Sequence, residues 1–329
     1  MKHLTILVPN GENNLSSIVG VYKIFNRANA IYASKGFKAV FKIELVGTSQ
    51  KVGFYDDLFT VKPHKKVSEI KKTDFIIIPS LNHNFDSAVH ENKEIINWIA
   101  KQYRLGAEVA SICTGAFLLA TTGLLDGKKC STHWSAVSIF KQRFPGIHLQ
   151  PDQLITDENR IYTNGGAYSF LNLILYLIEK FYDRETALLC SKIFQIDVSR
   201  SHQSEFMIFN GQKNHDDGAI LEAQEYLEKY FQEKISIASL SSKLHITRRN
   251  FDRRFIKATG ITPLDYLQRV KIEAAKKQLE NYPKTVTEVM YTVGYNDAKA
   301  FRDVFSRITG LSPVDYKLKY NKFSNSVLS

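Results

Sequence analysis

Apolar residues recur along this chain in two different rhythms. Toward the N-terminus, Leu4-Thr5-Ile6-Leu7-Val8-Pro9, Val40 to Val46 and Asp74-Phe75-Ile76-Ile77-Ile78-Pro79 are short, nearly continuous apolar runs. Helical periodicity separates them, from about Ser16 to Ala33 and from Lys93 to Tyr103, where Ile95, Ile96, Trp98 and Ile99 face the sheet. Such strands alternating with helices predict a parallel sheet covered on both sides. Gly165-Gly166-Ala167 leads into an apolar helix from Tyr168 to Phe181, and another helix runs from Asp183 to about Gln195. Ser199 to Ser204 reads as an exit segment, and the polar run from Asn210 to Gly218 as a linker. Beyond it the pattern is helical, starting with an amphipathic stretch from Ala219 to Phe231. The expected organisation is an α/β domain over 1–205, a linker over 206–217 and an all-α domain over 218–322. The Ser- and Asn-rich tail after Asn321 is expected to fray.

Within the helical region, a single stretch occurs twice. Phe251-x-x-x-Phe255-x-x-x-Thr259-Gly260-Ile261-Thr262-Pro263-x-Asp265-Tyr266 returns as Phe301-x-x-x-Phe305-x-x-x-Thr309-Gly310-Leu311-Ser312-Pro313-x-Asp315-Tyr316, offset by 50 residues at every matched position. Each copy reads as the end of one helix and the start of the next. The phenylalanines share a face, the glycine supplies a left-handed cap, and a hydroxyl residue followed by proline opens the next helix. Upstream lie short amphipathic helices, Ile237 to Leu244 and Val286 to Val293. Tight turns follow, then second helices from Arg248 and from just after Asp297. That is the helix-turn-helix pattern, twice. The outward positions are Arg248, Arg249, Asn250 and Arg253 in the first unit, and Ala298, Lys299, Arg302 and Asp303 in the second. Arginine and asparagine read guanine and adenine edges, and basic side chains neutralise phosphate, so the expected partner is double-stranded DNA.

Composition narrows this further. The formal charge of +11 over 329 residues suits a polyanion. The excess is local, with 14 basic against 7 acidic side chains from Lys243 to Arg307. Three widely spaced cysteines fit neither a disulfide framework nor a zinc site, so no metal or cofactor is expected. A reducing cytoplasm suits them, and no run is apolar enough for a membrane span or a signal peptide.

The most informative stretch of the α/β region is Ala107 to Ala120. It reads as a strand, an abrupt turn at Cys113 and a helix, with the small residues Ser111, Gly115 and Ala116 that a nucleophile elbow needs. A cysteine at a helix N-terminus is expected to favour thiolate. His133, in Ser131-Thr132-His133-Trp134, stands at a second strand-to-helix junction from which it could approach Cys113. The plain alternative is a buried cysteine and a histidine that caps the helix of Trp134. Cys130 and Cys190 carry no assigned role.

Two resemblances follow from these residues. Arg253-Arg254-Phe255 to Pro263, Leu267 to Ala275, and Gly294-Tyr295 to Pro313 resemble the AraC family of bacterial transcription regulators over about the last hundred residues. The resemblance implies two helix-turn-helix units joined by one long helix, here about Pro263 to Glu280. At ~1.5 Å per residue that connector is on the order of 27 Å long. It would hold two reading helices in successive major grooves about one DNA turn (~34 Å) apart. Asp303 departs from the basic or polar residue usual there; a carboxylate repels phosphate but can accept from a cytosine amino group.

Residues from about Leu4 to Asp197 resemble the PfpI-type, class I glutamine-amidotransferase-like, flavodoxin-like α/β domain. The match lies in Cys113 to Phe117, Gly123 to Gly127, Thr132-His133-Trp134 and Arg143-Phe144-Pro145. Together the two regions resemble the GlxA-like branch of AraC regulators. That superfamily's acidic partner of the elbow cysteine falls at Ser17, which lacks a carboxylate, so the resemblance implies a sensor pocket at Cys113, His133 and Ser17 rather than a catalytic one. The resulting expectation is a transcription regulator that binds DNA, engages RNA polymerase, answers a small-molecule effector and forms a homodimer. The alternatives are a cysteine-dependent hydrolase, amidase or redox sensor tethered to a DNA-binding domain, and an α/β domain that only dimerises.

Overall fold

Seven short strands build the sheet of the N-terminal unit: β1 (Lys2–Val8), β2 (Phe41–Gly47), β3 (Lys65–Lys66), β4 (Phe75–Ile78), β5 (Glu108–Ile112), β6 (Ile155–Glu158) and β7 (Ile161–Asn164). A computed structural model describes residues 1–82, 84–198 and 202–321. The sheet order is β6-β7-β5-β4-β1-β2-β3. All neighbours are parallel except β6 and β7, an antiparallel edge hairpin turned by Asn159 and Arg160 at φ 53° and 62°.

The apolar runs are nearly continuous because both sheet faces are covered. Leu4, Ile6 and Val8 of β1, Phe75 and Ile77 of β4, and Ala110 and Ile112 of β5 enter one core. That core is closed by α1 (Leu15–Ser34), α6 (Phe170–Phe181) and α7 (Arg184–Phe194). The intervening Leu7, Ile76, Ile78 and Val109 enter the other core, with α2 (Phe85–Glu91), α3 (Lys93–Arg104), α4 (Ala116–Thr121) and α5 (Val137–Arg143). Ile95, Ile96, Trp98 and Ile99 lie there, as the periodicity requires. Two small ladders were not foreseen: Val52–Phe54 against Phe59–Val61, antiparallel, and Lys129–Cys130 against His148–Leu149, parallel.

The chain divides between Gln203 and Ser204. The second unit holds α8 (Gly218–Lys229), α9 (Ile237–Lys243), α10 (Arg248–Thr259), α11 (Pro263–Asn281), α12 (Val286–Thr292), α13 (Ala298–Thr309) and α14 (Pro313–Tyr320). Its core is double. Ile220, Leu227, Leu240, Phe251 and Phe255 gather around Tyr266 and Leu267 of α11; Val289, Val293, Phe301, Phe305 and Tyr316 gather around Ile272, Ala275 and Leu279 of the same helix. One helix therefore supplies both cores.

The stretch 206–217, expected to be a linker, is held against this unit. Lys276 Nζ donates to the Met207 carbonyl at 2.6 Å, Phe209 N to Glu273 Oε2 at 3.2 Å, and Gln224 Nε2 to the Gln212 carbonyl at 3.0 Å. The Phe209 ring packs edge-on against Tyr266 at 5.0 Å. Backbone groups here bond to α8 and α11, while Asn210, Lys213, Asn214 and Asp216 stay exposed. Residues 199–201 of the exit segment expected from Ser199 to Ser204, and the tail over 322–329, lie outside the described residues.

Candidate nucleic-acid interface and a buried cysteine turn

The two helix-turn-helix units repeat down to single bonds. Helix α9 ends with His245 in the left-handed region at φ 54°, and α12 with Gly294 at φ 77°. In the first, Ile246 N donates to Ser241 O at 3.0 Å and His245 N to Ser242 O at 3.0 Å; in the second, Tyr295 N donates to Met290 O at 3.1 Å and Gly294 N to Tyr291 O at 3.0 Å. Both are the paired six-to-one and five-to-two bonds of a Schellman stop. The first unit holds a histidine at this left-handed position, but Gly294 must be glycine because an added Cβ would lie 2.2 Å from the Gln232 carbonyl. Lys271 Nζ, largely buried, donates to the Gly294 carbonyl at 3.0 Å, and burial pushes its pKa down.

The reading helices then present matching faces. Phe251, Phe255 and Thr259 of α10 are buried, as are Phe301, Phe305 and Thr309 of α13. Phe255 meets Tyr266 edge-on at 5.3 Å and Phe305 meets Tyr316 at 5.4 Å. Both helices close on glycine at φ 76°, and Thr262 and Ser312 cap the next helices by accepting from Asp265 N at 3.2 Å and Asp315 N at 3.1 Å.

Opposite the buried faces, Arg248, Arg249, Arg253, Ala298, Lys299, Arg302 and Asp303 are exposed and Asn250 is half-buried. Several are already engaged. Arg248 Nε donates to both Asp252 carboxylate oxygens at 3.0 and 2.9 Å, Arg253 Nη2 to Asn250 Oδ1 at 3.0 Å, and Arg302 Nε to the Ala298 carbonyl at 3.2 Å. Among the described residues, Arg249 and Lys299 have no hydrogen-bond or ion-pair partner. The Arg253–Asn250 pair couples two candidate side chains in one arrangement, which the sequence pattern did not show.

In the N-terminal unit, the turn expected at Cys113 is present. Cys113 has φ 55°, and a 3-10 turn over Cys113–Gly115 leads into α4. Its backbone N–H donates to Asn164 Oδ1 at 3.1 Å, and its carbonyl accepts from Thr132 Oγ1 at 3.0 Å. Gly115 must be glycine because a Cβ would stand 2.4 Å from the Pro79 carbonyl. Thr114 Oγ1 contacts Ser80 Oγ at 2.9 Å, and Ser80 N donates to Ser17 Oγ at 3.1 Å. Ser17 thus joins the turn through Ser80. Asn164 and Ser80 were missed in the sequence, since nothing in strand periodicity marks which loop or strand end reaches the turn.

The expectation of a thiolate is corrected. Burial pushes the Cys113 thiol up, and the opposing hydrogen bonds from Ser80 and Thr114 do not offset it. Helix α4 has only 6 residues, a short dipole against a strong desolvation cost. His133 stands at the start of the next turn. It caps the 3-10 turn Trp134–Ala136, its Nδ1 accepting from Ser135 N at 3.2 Å and meeting Ser135 Oγ at 2.7 Å. Cys130 and Cys190 are buried, their thiols pushed up to about 12 and about 11 by desolvation. Among the described residues no group of His, Cys, Asp and Glu could hold a metal ion, and no helix is long and apolar enough to cross a membrane.

A cysteine turn on a doubly covered parallel sheet, followed by two helix-turn-helix units on one helix, defines a two-domain class of protein. The chain belongs to the DJ-1/PfpI family, whose model matches residues 16–180, and a helix-turn-helix domain model matches residues 240–319. It is similar to the HTH-type transcriptional regulator GbdR of Pseudomonas aeruginosa, 25% identical over 68% of this chain and 61% of that protein. It is also similar to the HTH-type transcriptional regulator GlxA of Rhizobium meliloti, 24% identical over 64% of this chain and 65% of that protein. The chain thus spans less than two thirds of the length of these relatives. An AraC family transcriptional regulator from Pseudomonas putida shares the fold over 59% of this chain and 100% of its own, with a TM-score of 0.50 at 15% identity.

Proposed function

We propose that the protein is a sequence-specific DNA-binding transcription regulator acting in the cytoplasm. The second unit reads DNA through α10 and α13, and the DJ-1/PfpI unit senses a small molecule, dimerises, or does both. The observation that carries this reading is the repeat of two helices, α10 and α13, with exposed Arg and Lys faces and both packed on one shared helix. Arg249 and Lys299 are the side chains most available to phosphate or base edges, with Arg248, Asn250, Arg253, Ala298, Arg302 and Asp303 around them. RNA polymerase is the further macromolecular partner such a regulator would engage. The sensor pocket is assigned to the neighbourhood of Cys113, His133 and Ser17, and catalysis is not assigned to it: the thiol is buried and held neutral, and Ser17 offers no carboxylate.

The test is binding of the full chain to DNA from upstream of its own gene, at about 150 mM salt with excess non-specific competitor. A complex that survives competitor and footprints two adjacent major grooves supports the regulator. Complexes that competitor removes on every sequence tried, with and without candidate metabolites, would sink it.

A further inference from the structure

The 50-residue repeat stops short of one polar cluster. Arg307, near the end of α13, donates from Nη1 to Asp265 Oδ1 at 3.0 Å and from Nη2 to Gln268 Oε1 at 2.8 Å. The second carboxylate oxygen of Asp265 is taken by Arg269 Nε at 2.8 Å. Asp265 and Gln268 flank Tyr266 and Leu267, the segment of α11 that belongs to the first core. Arg307 lies between Phe305 and Ile308, which belong to the second. A planar guanidinium with two fixed acceptors therefore spans the two cores, and both of its ends sit on helices.

The cluster is not a by-product of the duplicated motif. Moving Asp265, Gln268 and Arg269 along by 50 gives Asp315, Leu318 and Lys319. Asp315 Oδ2 accepts from Ser312 Oγ at 2.6 Å, Lys319 Nζ reaches Glu205 Oε2 at 2.6 Å, and Leu318 has no polar atom to offer. Among the described residues, the second copy uses these positions for other bonds. Apolar packing between two cores leaves a helix some freedom to roll, whereas a two-pronged, charge-assisted bond leaves little.

We propose that Arg307, Asp265 and Gln268 form a positioning clamp that fixes the second reading helix relative to the first, and so sets the half-site spacing that this unit accepts. The inference rests on the DNA-binding reading above and gives the clamp residues a role distinct from touching bases.

The test uses the full chain. Duplexes are first selected from a random library by the wild-type protein, then rebuilt with one base pair inserted or removed between the half-sites. Wild type should discriminate steeply against the altered spacings. Arg307→Ala should lose about tenfold of that discrimination, the equivalent of one strong contact. Gln268→Ala, which removes one prong and leaves the ion pair, should lose less in the same direction, and thermal unfolding reports whether each variant is folded. Should Arg307→Ala fail to fold, Gln268→Ala decides. A wild-type spacing profile in the folded variants, with affinity lowered evenly or not at all, overturns the clamp; an even loss would mark Arg307 as a phosphate contact. If the wild-type chain selects no sequence, the DNA-binding reading fails and the clamp falls with it.

Discussion

A thiol attacks as its anion, and an anion is costly at a residue only 4% exposed whose polar company is two hydroxyls and an amide. Native Cys113 is therefore expected to react with iodoacetamide at neutral pH at least about tenfold more slowly than free cysteine, gaining rate only at alkaline pH. Peptide mass spectrometry would read this, and fast, selective labelling of Cys113 would restore the enzyme or redox-sensor reading. Glu44 is the opposite case. His3 Nε2, Lys42 Nζ and Lys65 Nζ stand 2.9, 2.7 and 3.3 Å from its carboxylate. Burial works against the charge, but these partners bring the pKa from 4.5 down to about 2. A carboxyl depressed on folding stabilises above its unfolded value, and that contribution is lost as pH falls from 4.5 through about 2. The difference in unfolding midpoint between wild type and Glu44→Gln should be full at neutral pH and should close across that window. A gap that ignores pH would mean these partners contribute nothing through charge.

Among the elements, the two copies of the repeat offer matched experiments. Tyr266 Oη donates to Glu228 Oε1 and Tyr316 Oη to Glu280 Oε1, both at 2.5 Å. Tyr266→Phe and Tyr316→Phe should each cost about 1–2 kcal/mol in urea unfolding of the second unit, with no change in packing. Costs that differ severalfold would mean the copies are not energetically equivalent. The helices of this unit were legible in the sequence because their apolar spacing, caps and stop signals agree. The sheet was legible for a different reason: β1, β4 and β5 are buried on both faces, and few polar residues, Thr5 and Ser111 among them, break their apolar runs. The edge hairpin of β6 and β7 was not, since Ile155–Glu158 has three polar residues out of four and becomes a strand by pairing with β7. The same holds for the two-residue ladder of Lys129–Cys130 with His148–Leu149, too short to carry a period. The bonds that tie 206–217 to α8 and α11 were not legible, because polarity alone does not say whether a backbone group meets water or the carboxylate of Glu273.

At the scale of the molecule, the candidate interface was legible as a face but not as a set of free side chains. Periodicity separates Phe251 and Phe255 from Arg249 and Arg253, yet the ties of Arg248 to Asp252 and of Arg253 to Asn250 depend on rotamers. Arg249 and Lys299 are accordingly the sharper probes. Arg249→Ala should weaken specific binding by roughly 1–3 kcal/mol and relax preference at one or two base pairs, while Lys299→Ala should lower affinity evenly and reduce the salt slope by about 1. Titrations over a range of salt concentrations distinguish the two, and unchanged binding by both variants would mean the wrong helix face was chosen.

Helix α11 runs 19 residues and is shared by both cores. Each residue added to such a helix turns everything after it by about 100° and advances it ~1.5 Å. A single insertion before Ile272 would swing Ile272, Ala275 and Leu279 away from the second core while Tyr266 and Leu267 stayed in the first. The length of this connector is therefore quantised. Substitution can alter the exposed face of α10 or α13 one side chain at a time, but the interval between these two helices cannot drift gradually with the rest of the sequence.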